Sequence, residues 1–454
     1  MTTASDSILH PFTNLSQTAP APIRTFAKGD GLYVIGDDGE RYFEAMSGLW
    51  SVSLGFSEKR LADAATRQLQ SLPFYHIFMS SSHEQVRELA EALIARAPGQ
   101  LAHVGFSTSG SEANETAVKA VWQYNNVLGR PQKKKIIARW DAYHGSTALA
   151  ASLCGLPNMH SGFDLPLGPI LHTGSPHHWR HAKPGETEEA FATRLADELE
   201  QMIQREGPDT IAAFIAEPIM GAGGVIVPPA SYFDKIVPVL KKHDILLIAD
   251  EIICGFGRTG TYWGSELCGI EPDILVCGKQ LSGGYLPISA TLMTDEIYSV
   301  IATETSRSGG FSHGFTHSGN PVCAAVANEA IRIYDERDIV AGVARKAEVF
   351  HAALREAFTG AEHVGEVRGV GLLGAVELAP EGDPRRSFAD KAGALWARDI
   401  YETEKTVVRA VHDAVVLCPP LIVEEGDLIA LVERLRRSYD RVLPQIRALS
   451  TTDY

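Results

Sequence analysis

Residues 245–260, ILLIADEIICGFGRTG, and residues 274–287, ILVCGKQLSGGYLP, decide the fold. Each opens on an unbroken apolar run. The first ends in two carboxylates, Asp250 and Glu251; the second, after Gly278, ends in Lys279. Short continuous apolar runs bounded by turn residues suit strands buried on both faces, as in a parallel sheet covered by helices. Working outward, the alternation recurs. HVGFST (103–108) precedes SEANETAVKAVWQY, KKKIIARW (133–140) precedes a Gly/Ser-rich turn, ATRLADELEQMIQRE (192–206) precedes TIAAFIAEPI, and FDKIVPVLKKHD (233–244) leads into 245–260. Apolar strands separated by amphipathic helices predict an α/β fold with a mostly parallel sheet.

The flanks read differently. GDGLYVIGDDGERYFEAMSG (29–48) alternates around a DDG turn as a hairpin does. EQVRELAEALIARA (84–97) has helical spacing and stops before Pro98. Residues 324–358 read as one long helix, VRGVGLLGAVEL and VVLCPPLIV as strands, and 428–449 as a closing amphipathic helix. The expected layout is a large central domain over 71–330, with 1–70 and 331–454 combining into a smaller α+β domain.

Composition bounds the partners. The 454 residues carry 41 Lys+Arg against 56 Asp+Glu, a formal net charge of −15, with 45% hydrophobic residues. An acidic chain does not attract nucleic-acid phosphates or anionic lipid. No apolar run approaches the roughly 18 residues of a membrane span. Residues 1–16 show neither a basic nor an apolar leader region, and six scattered cysteines form no CxxC pair, so a soluble cytoplasmic protein without disulfides or structural zinc is expected.

Four strand-end segments carry candidate chemistry. STSGSEANE (107–115) places Ser109, Gly110 and Ser111 at a helix N-terminus, where N–H groups and the macrodipole favour an anion, most often phosphate. Alone it also reads as an ordinary N-cap. DAYHGST (141–147) sets Tyr143 and His144 beside a glycine, as a stacking platform or a packed polar turn. Asp250, at a strand end, needs a cationic or hydrogen-bonding partner; a protonated pyridine nitrogen would serve, as would Arg258 or an N-cap. Lys279 sits among Cys277, Gly278 and Leu281, and burial there would lower its pKa toward that of an amine nucleophile. A lone lysine also reads as a solvated surface group.

Taken together and in this order, the four segments resemble the pyridoxal-phosphate site of fold type I enzymes. The chain is similar to the class III aminotransferases, and most similar to their ω-transaminase, amine:pyruvate branch. The resemblance runs through LHPFT, SGLWSV, LPFY, SGSEANE, YHGST, EPIMGAGGVIVPP, ADEIICGFGRTG, GKQLSGGY, HGFTHSGNP, RGVG and VVRA…LCPPL. It implies a seven-stranded large-domain sheet and a ping-pong transfer of an amino group from a primary amine or ω-amino acid to a keto acid, pyruvate by preference. Lys279 would carry the cofactor as a Schiff base and shuttle the substrate proton, and Asp250 would pair with the pyridinium nitrogen. Tyr143 would stack on the ring, with His144, Ile252 and Glu217 around it, while Ser109, Gly110 and Ser111 would cradle the phosphate.

Thr316 would reach the phosphate of a second subunit, making a homodimer with shared sites, or a tetramer of such dimers. Trp50, Tyr75 and Phe78 would line the substrate pocket, and Arg409 would pair with a keto-acid carboxylate, which a guanidinium binds bidentately. The chain departs from the class pattern at Met220, Ile253 and Gln280 and carries His317 where the branch often has Tyr, which bears on substrate range. The alternatives are 2-oxoglutarate as acceptor, β-alanine or 4-aminobutyrate as donor, decarboxylation or racemisation on the same fold, and a catalytically dead scaffold.

Three further patterns read as decoys. The GxGxxG of Gly369, Gly371 and Gly374 is followed by a strand and a turn rather than the helix of a dinucleotide site. His172, His177, His178 and His181 lie in a loop with no acidic residue among them, so no metal site is expected. Lys133 to Lys135 read as a solvated edge.

Overall fold

β1 (Phe26–Asp30), β2 (Tyr33–Gly36) and β3 (Arg41–Glu44) pair antiparallel, the last two forming the hairpin expected around the DDG turn. The protein is described from a computed structural model over residues 7–14 and 24–454. Half of the segment read for a leader, residues 1–6 and 15–16, therefore lies outside the described residues. No described helix is long and apolar enough to cross a membrane.

The central sheet has seven strands: β4 (Leu101–Ser107), β5 (Lys135–Arg139), β6 (Ile170–Thr173), β7 (Ile211–Ala216), β8 (Leu246–Asp250), β9 (Ile274–Cys277) and β10 (Ser289–Thr294). Their spatial order is β4-β10-β9-β8-β7-β5-β6, and only β10 runs against its neighbours. This is the α/β, fold type I sheet that the strand runs and the resemblance predicted. Alternation along each strand feeds two cores. Ile136, Ala138, Ala213, Ile215 and Ile248 meet the helix Gly110–Val127 on one face. Ile137, Phe214, Ala216 and Leu247 meet the helices Glu188–Glu206 and Tyr232–Lys242 on the other.

β11 (Val364–Val370), β12 (Leu373–Leu378), β13 (Arg386–Phe388), β14 (Thr406–Val407), β15 (Arg409–Val411), β16 (Ala414–Leu417) and β17 (Thr451–Asp453) follow. β11, β12, β16 and β15 form a sheet, while β14 pairs in parallel with β3 and so joins distant parts of the chain. Gly369, Gly371 and Gly374 sit in the β11–β12 hairpin, as their surroundings predicted.

Several expectations need correction. Residues 324–358 are two helices, Pro321–Glu336 and Ile339–Phe358, broken where Asp338 takes a left-handed conformation (φ 47°) that no helix can continue. The chain does not close on its last helix, Glu425–Ile446, because β17 turns back to pair with β13. Lys133 is buried rather than solvated, its ammonium donating to the carbonyls of His243 and Asp244. The histidine loop does meet acidic residues, from strands far along the chain: His177 Nε2 lies 2.8 Å from Glu366. His177, Glu366 and Glu377 could surround an ion. Both carboxylates, however, are already engaged by Arg368, and Glu377 also by Arg180.

Arg258 does not pair with Asp250. It is wholly buried and donates to the carbonyls of Leu372 (3.3 Å) and Pro419 (2.6 Å) and to Ser47 Oγ (3.3 Å). Burial lowers its pKa. One guanidinium thus ties the N-terminal turn, the β11–β12 hairpin and the segment after β16 to the central domain. Arg258→Ala leaves those acceptors unpaired around a void, and a loss on the order of 3 kcal/mol is expected, read as a lowered midpoint in urea unfolding followed by tryptophan fluorescence.

Candidate active site

A cavity of about 600 Å³ opens at the C-terminal ends of the parallel strands, where ligands of open α/β sheets bind. Trp50, Gly110, Ser111, Tyr143, His144, Glu217, Asp250, Ile252, Lys279 and Arg409 all line it. At its floor the buried Asp250 is held from three sides. Oδ2 accepts from Asn114 Nδ2 (2.9 Å) and lies 2.8 Å from His144 Nδ1, and Oδ1 accepts from the Ile252 N–H (3.1 Å). Glu251 points away, accepting from the Gly264 and Ser265 N–H groups and Ser265 Oγ; burial raises its pKa to about 7. Glu217 accepts from the N–H groups of Tyr143 and Gly221, both at 3.1 Å, and stitches two loops together; burial raises its pKa.

Lys279 follows β9 in a left-handed conformation (φ 47°), its Nζ 5.6 Å from the centre of the Trp50 ring. Burial lowers its pKa to about 8, with Asp250 and Glu217 opposing that shift. The Arg409 guanidinium stacks on the same ring at 4.9 Å, and burial lowers its pKa too. Neither cation forms an ion pair among the described residues. At the other end, Ser109 caps the helix Gly110–Val127 through a reciprocal bond with Glu112, so its hydroxyl is engaged in the cap and does not line the cavity. Ser111 Oγ accepts from the Ser146 N–H (2.9 Å). Gly145 is obligatory: its φ is 138°, and a Cβ there would stand 2.4 Å from Ser111 Oγ.

A sequence profile of the class-III aminotransferases matches residues 15–438. The γ-aminobutyrate transaminase 1 of Solanum lycopersicum, a mitochondrial protein, is 48% identical over 96% of this chain and 85% of its own length. The vanillin aminotransferase of Capsicum annuum is 47% identical over 94% and 93%. The ω-transaminase of Pseudomonas jessenii in complex with PMP superposes with a TM-score of 0.93 at 49% identity, covering 96% of this chain and 97% of that one. The chain belongs to the class-III aminotransferases. It is therefore a pyridoxal-phosphate-dependent enzyme that transfers an amino group between small molecules.

The residues present fit that cofactor. A helix N-terminus with an adjacent hydroxyl suits a phosphate, a buried carboxylate suits a pyridinium, and an amine of lowered pKa suits a carbonyl carbon. Of the named residues, Tyr75, Phe78 and Thr316 stand outside the cavity of the single chain, on its surface. Phe78 lies against Gly314, and Phe74 packs edge-on to His317 at 5.1 Å. Among the class departures, Ile253 lines the cavity, whereas Met220 and Gln280 are buried outside it; Gln280 Nε2 donates to the Ile253 carbonyl (2.8 Å).

Sequence reasoning missed Asn114, although it lies one helical turn beyond Ser111 on the same face. It also missed Phe12, Lys391 and His412 in the cavity wall, which no local pattern marks. Asn114→Ala removes a donor from a buried carboxylate and is expected to weaken cofactor binding about tenfold, measured by titration of the cofactor-free enzyme. With the Lys279 pKa near 8, the neutral amine gains population from about pH 7 to 9, so the rate of cofactor capture by cofactor-free enzyme should rise with a midpoint near pH 8 in stopped-flow absorbance.

Proposed function

We propose that this aminotransferase acts on primary amines or ω-amino acids as donors and pyruvate as acceptor. The observation that carries the reading is Arg409: a half-buried guanidinium in an otherwise largely apolar cavity, stacked on Trp50 and free of any carboxylate partner among the described residues. It suits a single carboxylate, taken bidentately, and can rest on the indole when the donor carries none. A transaminase of known structure with L-alanine, the amino acid counterpart of pyruvate, is 50% identical over 93% of this chain, in keeping with that acceptor. A further solved relative, engineered for synthesis of bulky amines, replaces a tryptophan, a phenylalanine and an arginine at the same sequence intervals that separate Trp50, Phe78 and Arg409. The curated γ-aminobutyrate transaminases favour a second donor class, an ω-amino acid whose distal carboxylate would use Arg409 in the first half-reaction.

The cofactor supplies an electron sink that acidifies the carbon bearing the amino group. In our reading Lys279 Nζ would hold it covalently and, once released, would take the proton from that carbon and pass it to the cofactor; a pKa near 8 leaves enough neutral amine to do so. Asp250, oriented by Asn114 and His144, would keep a proton on the ring nitrogen. Tyr143 would stack on the ring with Ile252 beside it, and Glu217 holds the Tyr143 loop. Gly110 and Ser111 would receive the phosphate, with Ser109 capping their helix. Thr316 of a second copy would complete that cradle, and Tyr75 and Phe78 would complete the donor pocket from the same interface.

The exposed aromatic surface around Phe74, Tyr75, Phe78 and Phe311 supports a homodimer as the working unit. We take 71–330 as the catalytic domain and 1–70 with 331–454 as the smaller one, which the β3–β14 pairing favours. Six unpaired cysteines favour a reducing compartment, and we carry the cytoplasm as that compartment.

Arg409→Ala should lower kcat/KM for pyruvate about a hundredfold while leaving the single-turnover half-reaction with an uncharged amine within about threefold of wild type. Full retention of pyruvate turnover contradicts the role given to Arg409.

A further inference from the structure

We propose that Glu44, at the end of β3, is a positioning residue that sets the width of the donor pocket by holding the turn that carries Trp50. The turn is strained: Ser47 (φ 51°), Gly48 (φ 67°) and Trp50 (φ 55°) are all left-handed, and two of the three bear side chains that disfavour it. Its local carbonyls accept from Trp50, Ser51 and Val52. The N–H groups of Met46 and Gly48 are taken by Glu44 instead: Oε1 accepts from Met46 (3.1 Å) and Oε2 from Gly48. Glu44 is 2% exposed and touches neither the cavity nor the reacting groups. The indole it positions is 2% exposed, has no hydrogen-bond partner for Nε1 among the described residues, and lies under both Lys279 Nζ (5.6 Å) and the Arg409 guanidinium (4.9 Å). A small rotation of the turn would therefore move the wall that a donor substituent meets.

The carboxylate is also poised to change state. Burial pushes its pKa up to about 7, against the pull of the two N–H groups. The titratable and charged groups near it are the Cys418 thiol, which feels Glu44, Arg258 and Lys279 alike, and Arg258 itself, which reaches Ser47 Oγ. None of them bonds to the Glu44 oxygens among the described residues. Above about pH 7 both oxygens accept. Below it one becomes an O–H facing an N–H, and the turn loses a tether.

The inference rests on Trp50 facing the donor, and the test separates the two claims. Holoenzyme, Glu44→Gln, Trp50→Ala and the double variant are assayed with pyruvate and two amine donors of matched basicity, one small and aliphatic, one branched and bulky. The ratio of their kcat/KM values, bulky over small, is read from pH 6 to 8.5. Glu44→Gln should raise the ratio about fivefold, the worth of one hydrogen bond, and add nothing in the Trp50→Ala background. In the wild type the ratio should rise toward acid with a midpoint near pH 7, and in Glu44→Gln it should be flat.

An unchanged ratio in Trp50→Ala overturns the placement of Trp50 and this inference with it. A changed ratio in Trp50→Ala with no effect of Glu44→Gln, or with a fully additive one, overturns the role of Glu44 alone. Should Glu44→Gln not fold, the wild-type profile decides, and a ratio independent of pH overturns the proposal.

Discussion

A carboxylate stays inside a protein only where donors surround it, and the arrangement of this active site follows from meeting that demand at Asp250. The strand β8 delivers the side chain to the sheet edge, and three donors or acceptors from separate segments close on it: Asn114, His144 and the Ile252 backbone. Asn114 belongs to the helix whose first turn holds Gly110 and Ser111, so the helix-N-terminal end of the cavity and its carboxylate end are set by one rigid body. Asn114 also donates to the His144 carbonyl, which fixes the loop bearing Tyr143. A single buried carboxylate thereby fixes its own distance from the helix N-terminus at Gly110 and Ser111.

The opposite wall is built by longer-range ties. Arg258 joins the turn at Ser47 to the segments at Leu372 and Pro419, and Arg368 reaches from β11 to the carbonyls of Gly224 and Val225 beside the cavity. Both are buried guanidiniums whose donors reach backbone carbonyls, which fits Arg better than Lys because its planar fork spans several acceptors. Glycines allow the close approach: a Cβ on Gly284 would stand 2.6 Å from the Ser51 backbone, so the segment after Lys279 and the Trp50 turn pack main chain to main chain.

The sheet was legible because burial on both faces leaves a local mark, a continuous apolar run. Lys279, Asp250 and the SGSEANE turn stood out only together and in order, since each alone also reads as a surface lysine, an ion pair or an N-cap. What meets Asp250 was not legible. Arg258, one of the partners the sequence allowed, is near in sequence but packs elsewhere, while Asn114 and His144 come from segments more than a hundred residues away. Periodicity also misjudged the run at Lys133, since three consecutive lysines look solvated unless one knows that Asp244 and His243 cover the first. The break at Asp338 failed for a related reason: the apolar period continues across it, and only the left-handed cap ends the helix.

The net charge of −15 sharpens the meaning of the cavity. Of the buried arginines, Arg180 and Arg368 find carboxylate partners in Glu366 and Glu377, whereas Arg258 donates to carbonyls and a hydroxyl. Arg409 and Lys279 both line the cavity and both lie over the Trp50 ring, and neither forms an ion pair among the described residues. Burial lowers the pKa of each, with Asp250 and Glu217 opposing the shift at Lys279. Such an arrangement is unfavourable for folding and would become favourable if a carboxylate met the guanidinium and a carbonyl carbon met the amine. Under the proposed function both ligands would bind where the destabilisation lies, so binding would relieve it and gain affinity from that relief.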